Sequence, residues 1–171
     1  MDSNRPQTSV GFGLIKPHAK ELLPSLVQRL QGEGLHVIDC SLVDVTREMA
    51  EAHYAEHREA EFFPRTVAAL AGQQVYRLVL AYNRSDMSAA KKLRTLLGPT
   101  NPKLAEPKDI RYLARDEEHM HNNVMHGSDD DAEVVSEEME LWYGPFGESS
   151  AYEVFMARAI RFFEQQRQCD E

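Results

Sequence analysis

Apolar residues recur along this chain with two periods that alternate in order, and this alternation limits the folds the chain can adopt. Short apolar runs at residues 10–15, 35–45 and 74–82 predict strands, because they are rich in β-branched residues or alternate with polar ones. Between them, residues 22–34 and 85–98 carry apolar positions three and four apart, which predicts amphipathic helices. Helices between strands favour one sheet with helices packed on it.

Two further helices are predicted between the second and third strands. Thr46 can cap the first, which covers residues 47–57, and the second ends at Gly72. Residues 99–121 lack clear periodicity and predict a long ordered loop, which is followed by a short fourth strand at 123–125. The predicted order, β-α-β-α-α-β-α-loop-β-α, fits an α+β ferredoxin-like β-α-β-β-α-β sandwich with an extra helical pair.

The predicted domain covers residues 10–144, with a flexible tail at 1–9 and a C-terminal helical extension at 145–171. Apolar residues with helical spacing predict a single apolar face on this extension; they are Tyr152, Phe155, Met156, Ala159, Ile160 and Phe163. We expect that face to pack on this domain or on a second subunit.

The formal net charge of -9 disfavours nucleic acid and anionic membranes as partners, because their phosphates would be repelled. No apolar run is long enough to span a bilayer, and the polar start has no apolar core, so we expect neither a membrane helix nor a signal peptide. Two cysteines do not make a disulfide framework, and Cys40, inside a predicted strand, is expected to be buried. A cytoplasmic location is the resulting expectation.

Polar residues lie where the apolar runs stop, and together they suit phosphate chemistry. Three cations, Lys16, Arg94 and Arg111, can balance the charge that develops on phosphate oxygens. A neutral imidazole, such as that of His126, can attack phosphorus and carry the phosphoryl group covalently. The other candidates for nucleotide contacts are Tyr54, His57, Thr100 and Asn123.

For its attacking nitrogen to stay unprotonated, His126 needs an acceptor for its other ring nitrogen. The helix that follows offers Glu133, Glu137 and Glu138, and the residues alone leave the choice open. A second histidine pair, at 119 and 121, has a spacing that two metal ligands can use. No cysteine pair lies near it and its flanks are polar, so we predict no metal site made by the protein.

Five segments resemble the nucleoside diphosphate kinases, over roughly residues 10–143: LIKPHA, HYAEHREAEFFP, LRTLLGPTNP, DIR and NNVMHGSD. The last of these, combined with GPTNP at this distance, is the most specific. The resemblance implies the ferredoxin-like fold and a ping-pong transfer of the terminal phosphate from ATP or another nucleoside triphosphate to a nucleoside diphosphate. It also implies Mg²⁺ on the phosphates and a homo-oligomer, because members form hexamers, tetramers and dimers.

The resemblance also implies roles for single residues. His126 corresponds to the phosphorylated nucleophile, with Ser128 in the turn after it and Gly127 letting the backbone turn. The glutamate that hydrogen-bonds the histidine corresponds to Glu137 or Glu138, because the spacing is ambiguous by one residue. Phe62 corresponds to the position that stacks on the base. The positions that bind phosphates and ribose correspond to Lys16, Tyr54, His57, Arg94, Thr100, Arg111 and Asn123.

The base side of the predicted site departs from the family pattern. His18 stands where members usually have an aspartate, Thr66 replaces an apolar residue, and Met120 falls near the position of a small aliphatic one. The altered loop at Arg111 and the added C-terminal helix favour an alternative: a catalytically weak kinase-like scaffold or interaction module, for example in a ciliary or flagellar assembly. The retention of every phosphate-side residue favours the enzyme.

Overall fold

The computed structural model describes residues 7–115 and 123–169. Its strands form one antiparallel sheet in the order β2-β3-β1-β4; they are β1 (Thr8–Ile15), β2 (His36–Asp44), β3 (Gln74–Asn83) and β4 (Met125–Gly127). Six α-helices lie in these described ranges: α1 (Leu23–Gly32), α2 (Arg47–His53), α3 (Phe63–Leu70), α4 (Ala89–Leu97), α5 (Ala132–Tyr143) and α6 (Ala151–Cys169). The predicted ferredoxin-like fold, with its extra helical pair α2–α3, is confirmed.

The sheet is covered on both faces, and β3 shows why its sequence is an almost continuous apolar run. Leu78 and Leu80 face a core shared with α1 and α4, whereas Val79 and Ala81 face a second core. Helices α2, α3, α5 and α6 contribute to that second core. Successive side chains of a strand point to opposite faces, so a strand buried on both sides needs apolar residues at nearly every position.

The C-terminal helix α6 packs on the sheet of its own chain. Phe155, Ala159 and Phe163 are buried there, and the Phe155 ring lies 4.7 Å from the ring of Tyr143 in α5. Ile160 was predicted on the same face, but 42% of it is exposed, so that part of the prediction is wrong. The buried residues recur every four positions, which places Ile160 outside their stripe. The division of the chain at residue 144 stays a prediction.

The last strand lies two residues later in the chain than predicted. It begins at Met125 rather than residue 123, so His126 lies inside β4, opposite Leu14 of β1, and not just beyond the strand. Gly127 does not have a positive φ, and the turn expected there is wrong. A Cβ at Gly127 would lie 2.8 Å from a Leu97 side-chain atom and 2.9 Å from one of Leu93, so the glycine allows α4 to pack closely.

Two smaller boundaries also differ. β1 begins at Thr8, two residues before the predicted strand, and Thr8 pairs with Asn83 of β3. Cys40 is exposed rather than buried, because it lies in the edge strand β2, where residues 40, 42 and 44 face solvent. Within 7–115 and 123–169, the helices are all too short or too polar to cross a membrane.

Candidate active site

A cleft of about 960 Å³ lies beside β4, between α5 and the α2–α3 pair. It collects nearly all the polar residues that the sequence singled out. The predicted residues that line it are Lys16, Tyr54, His57, Phe62, Arg94, Thr100, Arg111, Asn123, His126, Glu137 and Glu138. Ser128 is fully buried and does not line the cleft, but its hydroxyl donates a hydrogen bond to Glu138, which does. Segments distant in sequence therefore converge on one concave surface, as binding sites usually require.

His126 is held by a carboxylate of the following helix. Its Nε2 lies 2.9 Å from Oε1 of Glu138, and the hydroxyl of Ser128 donates to the other oxygen of the same carboxylate. Glu137, one residue earlier, is exposed and lines the cleft. Neighbouring helical residues point about 100° apart, so only one of the two glutamates can face the histidine. The carboxylate that hydrogen-bonds His126 is that of Glu138.

The protonation of this pair follows from its surroundings. Burial raises the pKa of Glu138, but the hydrogen bonds from His126 and Ser128, together with the neighbouring His126 and His53 rings, hold the pKa below its usual value. An ionised carboxylate only accepts hydrogen bonds, so Nε2 of His126 is the nitrogen that carries a proton. In the neutral ring, Nδ1 then keeps its lone pair.

Lys16 brings a buried amine to the cleft from the end of β1. Only 8% of the residue is exposed, and its backbone N–H donates to the carbonyl oxygen of Val124 over 3.0 Å. Burial, assisted by the charge of Arg111, lowers the pKa of Lys16 to about 7. An incoming phosphate would supply the opposite charge that favours the ammonium form.

Arg111 is held in the cleft by hydrogen bonds to two backbone carbonyl groups and one hydroxyl group. Its Nη1 donates to the carbonyl oxygen of Gly98 at 3.0 Å and to the hydroxyl of Thr100 at 3.4 Å. Its Nε donates to the carbonyl oxygen of Met125 over 3.3 Å. Burial and then the charge of Arg94 lower the pKa of Arg111 to about 10. Residues 99–115 of the predicted loop are thus arranged around one buried guanidinium, with short 3-10 helices at Pro102–Leu104 and Ile110–Tyr112.

Gly98 shapes this loop where it leaves α4. The residue has a φ of 78°, a conformation that favours glycine. A Cβ there would approach Oδ2 of Asp109 to 2.6 Å, well inside van der Waals contact. Asp109 itself accepts a hydrogen bond from the backbone N–H of Glu106 over 2.7 Å. Gly98 therefore lets the loop fold back far enough for Arg111 to reach the cleft.

Arg94 and Asn123 differ in how accessible their polar groups are. Arg94 forms an ion pair with Asp129 at 2.5 Å, and about half of its side chain is exposed. Asn123 is 4% exposed, and its Oδ1 is buried without a hydrogen-bond partner among the described residues. That oxygen can therefore accept a hydrogen bond from a ligand hydroxyl.

The outer part of the cleft is aromatic. Half of Phe62 is exposed, and its ring lies 5.4 Å from that of His57. Burial, with the charge of Glu138 second, raises the pKa of Tyr54 to about 12, so its hydroxyl is a hydrogen-bond donor at neutral pH.

The Thr66 hydroxyl donates a hydrogen bond to the carbonyl oxygen of Phe62 over 3.1 Å, so this polar group already has a partner at the start of its own helix. Met120, His119 and His121 lie outside the described residues.

His53 is a site residue that the sequence analysis missed. It ends α2, and its ring packs almost perpendicular to that of His126, with centroids 4.5 Å apart. A lone histidine beside Tyr54 in a helical segment carries no local pattern that points to a contact with His126. Arg65 and Asp129 also line the cleft without having been predicted.

One group of side chains in the cleft has the composition of a metal site. Ligand atoms of His53, His126 and Glu138 lie within 4.8 Å of one another. Glu138 is already bonded to His126 and Ser128, and Nδ1 of His53 accepts from the indole N–H of Trp142. These commitments compete with metal binding. The prediction that the protein supplies no metal site stays a prediction.

The family model for nucleoside diphosphate kinase matches residues 10–147, which is most of the chain. The chain belongs to the nucleoside diphosphate kinase family. A nucleoside diphosphate kinase from Synechococcus sp. (strain JA-3-3Ab) is 39% identical over 134 residues, covering 77% of this chain and 85% of the relative. The predicted family is therefore confirmed, and α6 lies beyond the matched region.

Solved structures agree with this assignment. The apo nucleoside diphosphate kinase from Encephalitozoon cuniculi has a TM-score of 0.70 at 30% identity, and the match covers 80% of this chain and 89% of that one. The halophilic nucleoside diphosphate kinase from Halobacterium salinarum, solved in complex with CDP, has a TM-score of 0.71 at 28% identity. That match covers 80% of this chain and 88% of the other.

Proposed function

We propose that this family member transfers the terminal phosphate of a nucleoside triphosphate to a nucleoside diphosphate through a phosphohistidine at His126. The observation that carries this proposal is the 2.9 Å hydrogen bond between Nε2 of His126 and Glu138, inside a cleft that also holds Lys16, Arg94 and Arg111. A scaffold would not need a nucleophile with a fixed tautomer beside three cations.

In the first half-reaction, the lone pair on Nδ1 of His126 attacks the terminal phosphorus. The N–P bond forms as the bond between that phosphorus and the bridging oxygen breaks, and the electron pair leaves with the nucleoside diphosphate. The imidazole gains positive charge, which the ionised Glu138 stabilises through the proton on Nε2. In the second half-reaction, a terminal phosphate oxygen of another nucleoside diphosphate attacks the same phosphorus, and the N–P electron pair returns to Nδ1.

The surrounding residues bind and orient the nucleotide. Lys16, Arg94 and Arg111 balance phosphate charge, which Arg can do with two parallel hydrogen bonds. Tyr54, His57, Thr100 and Asn123 offer uncharged contacts to phosphate or ribose. The exposed face of Phe62 can stack on a base, and stacking tolerates every base. We therefore expect a weak preference among nucleobases.

Mg²⁺ fits this cleft as part of the nucleotide complex. The carboxylates that line the cleft are Glu56, Asp129, Glu137 and Glu138. Asp129 is paired with Arg94 and Glu138 with His126, so these two do not form a free cage of oxygen ligands. Mg²⁺ is commonly held by substrate phosphates and waters with few protein ligands. When bound, it would neutralise part of the phosphate charge.

Two expectations about the protein's surroundings remain proposals. A homo-oligomer stays a prediction from the resemblance to the family. A cytoplasmic location stays a prediction from the sequence.

Labelling with γ-labelled ATP tests the proposal. The full chain should acquire acid-labile, base-stable label, and His126→Ala and His126→Asn should acquire none while still binding ADP. His36→Gln is the matched control, because His36 packs on Phe162 and Phe163 of α6, away from the cleft. Absence of label on the wild-type chain with saturating Mg²⁺-ATP would contradict the proposal and leave the scaffold alternative.

A further inference from the structure

A second imidazole lies directly against the nucleophile. His53 is half-buried, and its ring stands at 83° to that of His126 with 4.5 Å between centroids. The Nε2 atom of His53 is buried without a hydrogen-bond partner among the described residues, whereas Nδ1 lies 3.3 Å from the indole nitrogen of Trp142. Neither nitrogen of His53 takes part in the phosphoryl transfer described above.

Trp142 determines which nitrogen of His53 carries the proton. An indole N–H can only donate, so Nδ1 of His53 must accept with its lone pair. The proton of the neutral ring is then on Nε2. Burial, with the neighbouring His126 second, lowers the pKa of His53 to about 3, so the ring is neutral at physiological pH. His53 is therefore an uncharged imidazole whose lone pair is already engaged.

We propose that His53 is a positioning residue for His126, held as its Nε2–H tautomer by Trp142. The inference rests on the proposed function, because it concerns the orientation of the same nucleophile. Glu138 holds the His126 ring at Nε2, and His53 packs perpendicular to that ring. A half-turn of the His126 ring would put Cδ2 where Nδ1 stands and remove the attacking lone pair from its place. Two contacts in different directions oppose that rotation.

The tautomer also separates this role from that of a metal ligand. Two imidazoles and a carboxylate within 4.8 Å match the donors of a zinc site. Coordination through Nε2 of His53 would require its lone pair there, and the ring proton would move to Nδ1. That N–H would then face the indole N–H of Trp142, and two donors repel each other. The hydrogen bond from Trp142 therefore favours positioning over metal binding.

The first experiment reads the tautomer without using activity. Imidazole ¹⁵N chemical shifts of the nucleotide-free full chain distinguish a bare nitrogen from a protonated one, and the spectrum of His53→Gln assigns the His53 signals. We expect a bare Nδ1 and a protonated Nε2 in the wild type. Trp142→Phe keeps an aromatic ring without the donor and should give a mixture of tautomers. A wild-type His53 protonated on Nδ1 would overturn the inference.

The second experiment measures single-turnover labelling by γ-labelled ATP at several nucleotide concentrations. The maximal rate of His53→Ala should fall by about 10- to 100-fold, as is typical for residues that orient a functional group, with little change in the half-saturating concentration. His53→Gln should fall between the wild type and His53→Ala, because its amide can still accept from Trp142. His36→Gln should label at the wild-type rate.

The outcomes separate this inference from the proposed function. A wild-type chain that takes no label refutes the phosphohistidine, whatever its His53 tautomer is. A labelled wild type matched in rate by folded His53→Ala refutes the positioning role alone. If His53→Ala does not fold, as judged by its melting curve, His53→Gln and Trp142→Phe decide, and wild-type rates in both would overturn the inference.

Discussion

Arg111 donates a hydrogen bond from Nη1 to the carbonyl oxygen of Gly98 over 3.0 Å, and this bond joins the loop after α4 to the phosphate side of the cleft. A second bond joins the same side chain to Met125 in β4, next to His126. Arg111 is therefore both a charge in the cleft and a support for two backbone segments. Arg94, by contrast, is half exposed and paired with Asp129.

This difference predicts different consequences for two arginine deletions. Arg111→Ala and Arg94→Ala should each lose about 2–4 kcal/mol of transition-state stabilisation, because each removes a charge-assisted donor. Only Arg111→Ala should also lose stability, by about 1–3 kcal/mol, because it removes the side-chain donor to the buried Met125 carbonyl and to the partly buried Gly98 carbonyl. Turnover kinetics and urea unfolding of both variants measure the two effects. Normal turnover in either variant would remove that arginine from the site.

The two neighbouring glutamates should behave differently. Glu138→Gln should slow labelling of His126 by about 10- to 100-fold, because the ring loses the carboxylate that fixes its tautomer. The effect should be smaller than that of His126→Ala, which removes the proposed nucleophile. Glu137→Gln is the matched control, one residue away and exposed, and should label almost normally. Equal slowing in both variants would show that charge in the cleft, and not the hydrogen bond, is what matters.

Lys16 should make stability depend on pH in a defined window. Its pKa is about 7 in the folded chain and 10.5 without the surrounding structure, so the unfolded chain binds more protons between these values. The free energy of unfolding attributable to Lys16 should therefore rise from pH 7 to pH 10.5, and its cost should be fully present below pH 7.

Lys16→Met removes the titrating group and isolates that contribution. The difference in unfolding free energy between the wild type and Lys16→Met should favour the wild type increasingly as the pH rises through the window. Urea titrations of the nucleotide-free chains at pH 6, 8 and 10 measure it. A difference that does not change with pH would mean that the buried amine keeps its ordinary pKa.

The C-terminal helix should stabilise the domain through one buried stripe. Phe155→Ala should cost about 3–5 kcal/mol, as large-to-small changes at buried aromatic residues do, because Phe155 is 1% exposed. Ile160→Ala, on the exposed side, should stay within about 0.5 kcal/mol of the wild type. The folded fraction of Phe155→Ala should still label with γ-labelled ATP, because α6 does not line the cleft. Equal melting temperatures for the two variants would contradict the packing.

The sequence alone was enough to determine the order of strands and helices and to predict residues that the structure brings together in one cleft. The spacing of apolar residues reflects secondary structure directly, because side chains on one face of a strand are two residues apart and those on one face of a helix are three to four residues apart. The class of ligand is also restricted by side-chain chemistry, whichever fold holds the residues; those side chains are Lys16, Arg94, Arg111 and His126. Local periodicity was less informative for Cys40, because its exposure depends on β2 being an edge strand.

Tertiary structure decided the relationships between segments that are far apart in sequence. The rotation of α5 about its axis directs Glu138, and not Glu137, to His126. The approach of α4 to β4 explains Gly127 by close packing where the sequence suggested a turn. His53 lies 73 positions before His126 and 89 before Trp142, so its contacts with both arise only when α2 and α5 pack beside the sheet. Such contacts depend on the relative placement of whole elements, which the local preferences of each segment do not encode.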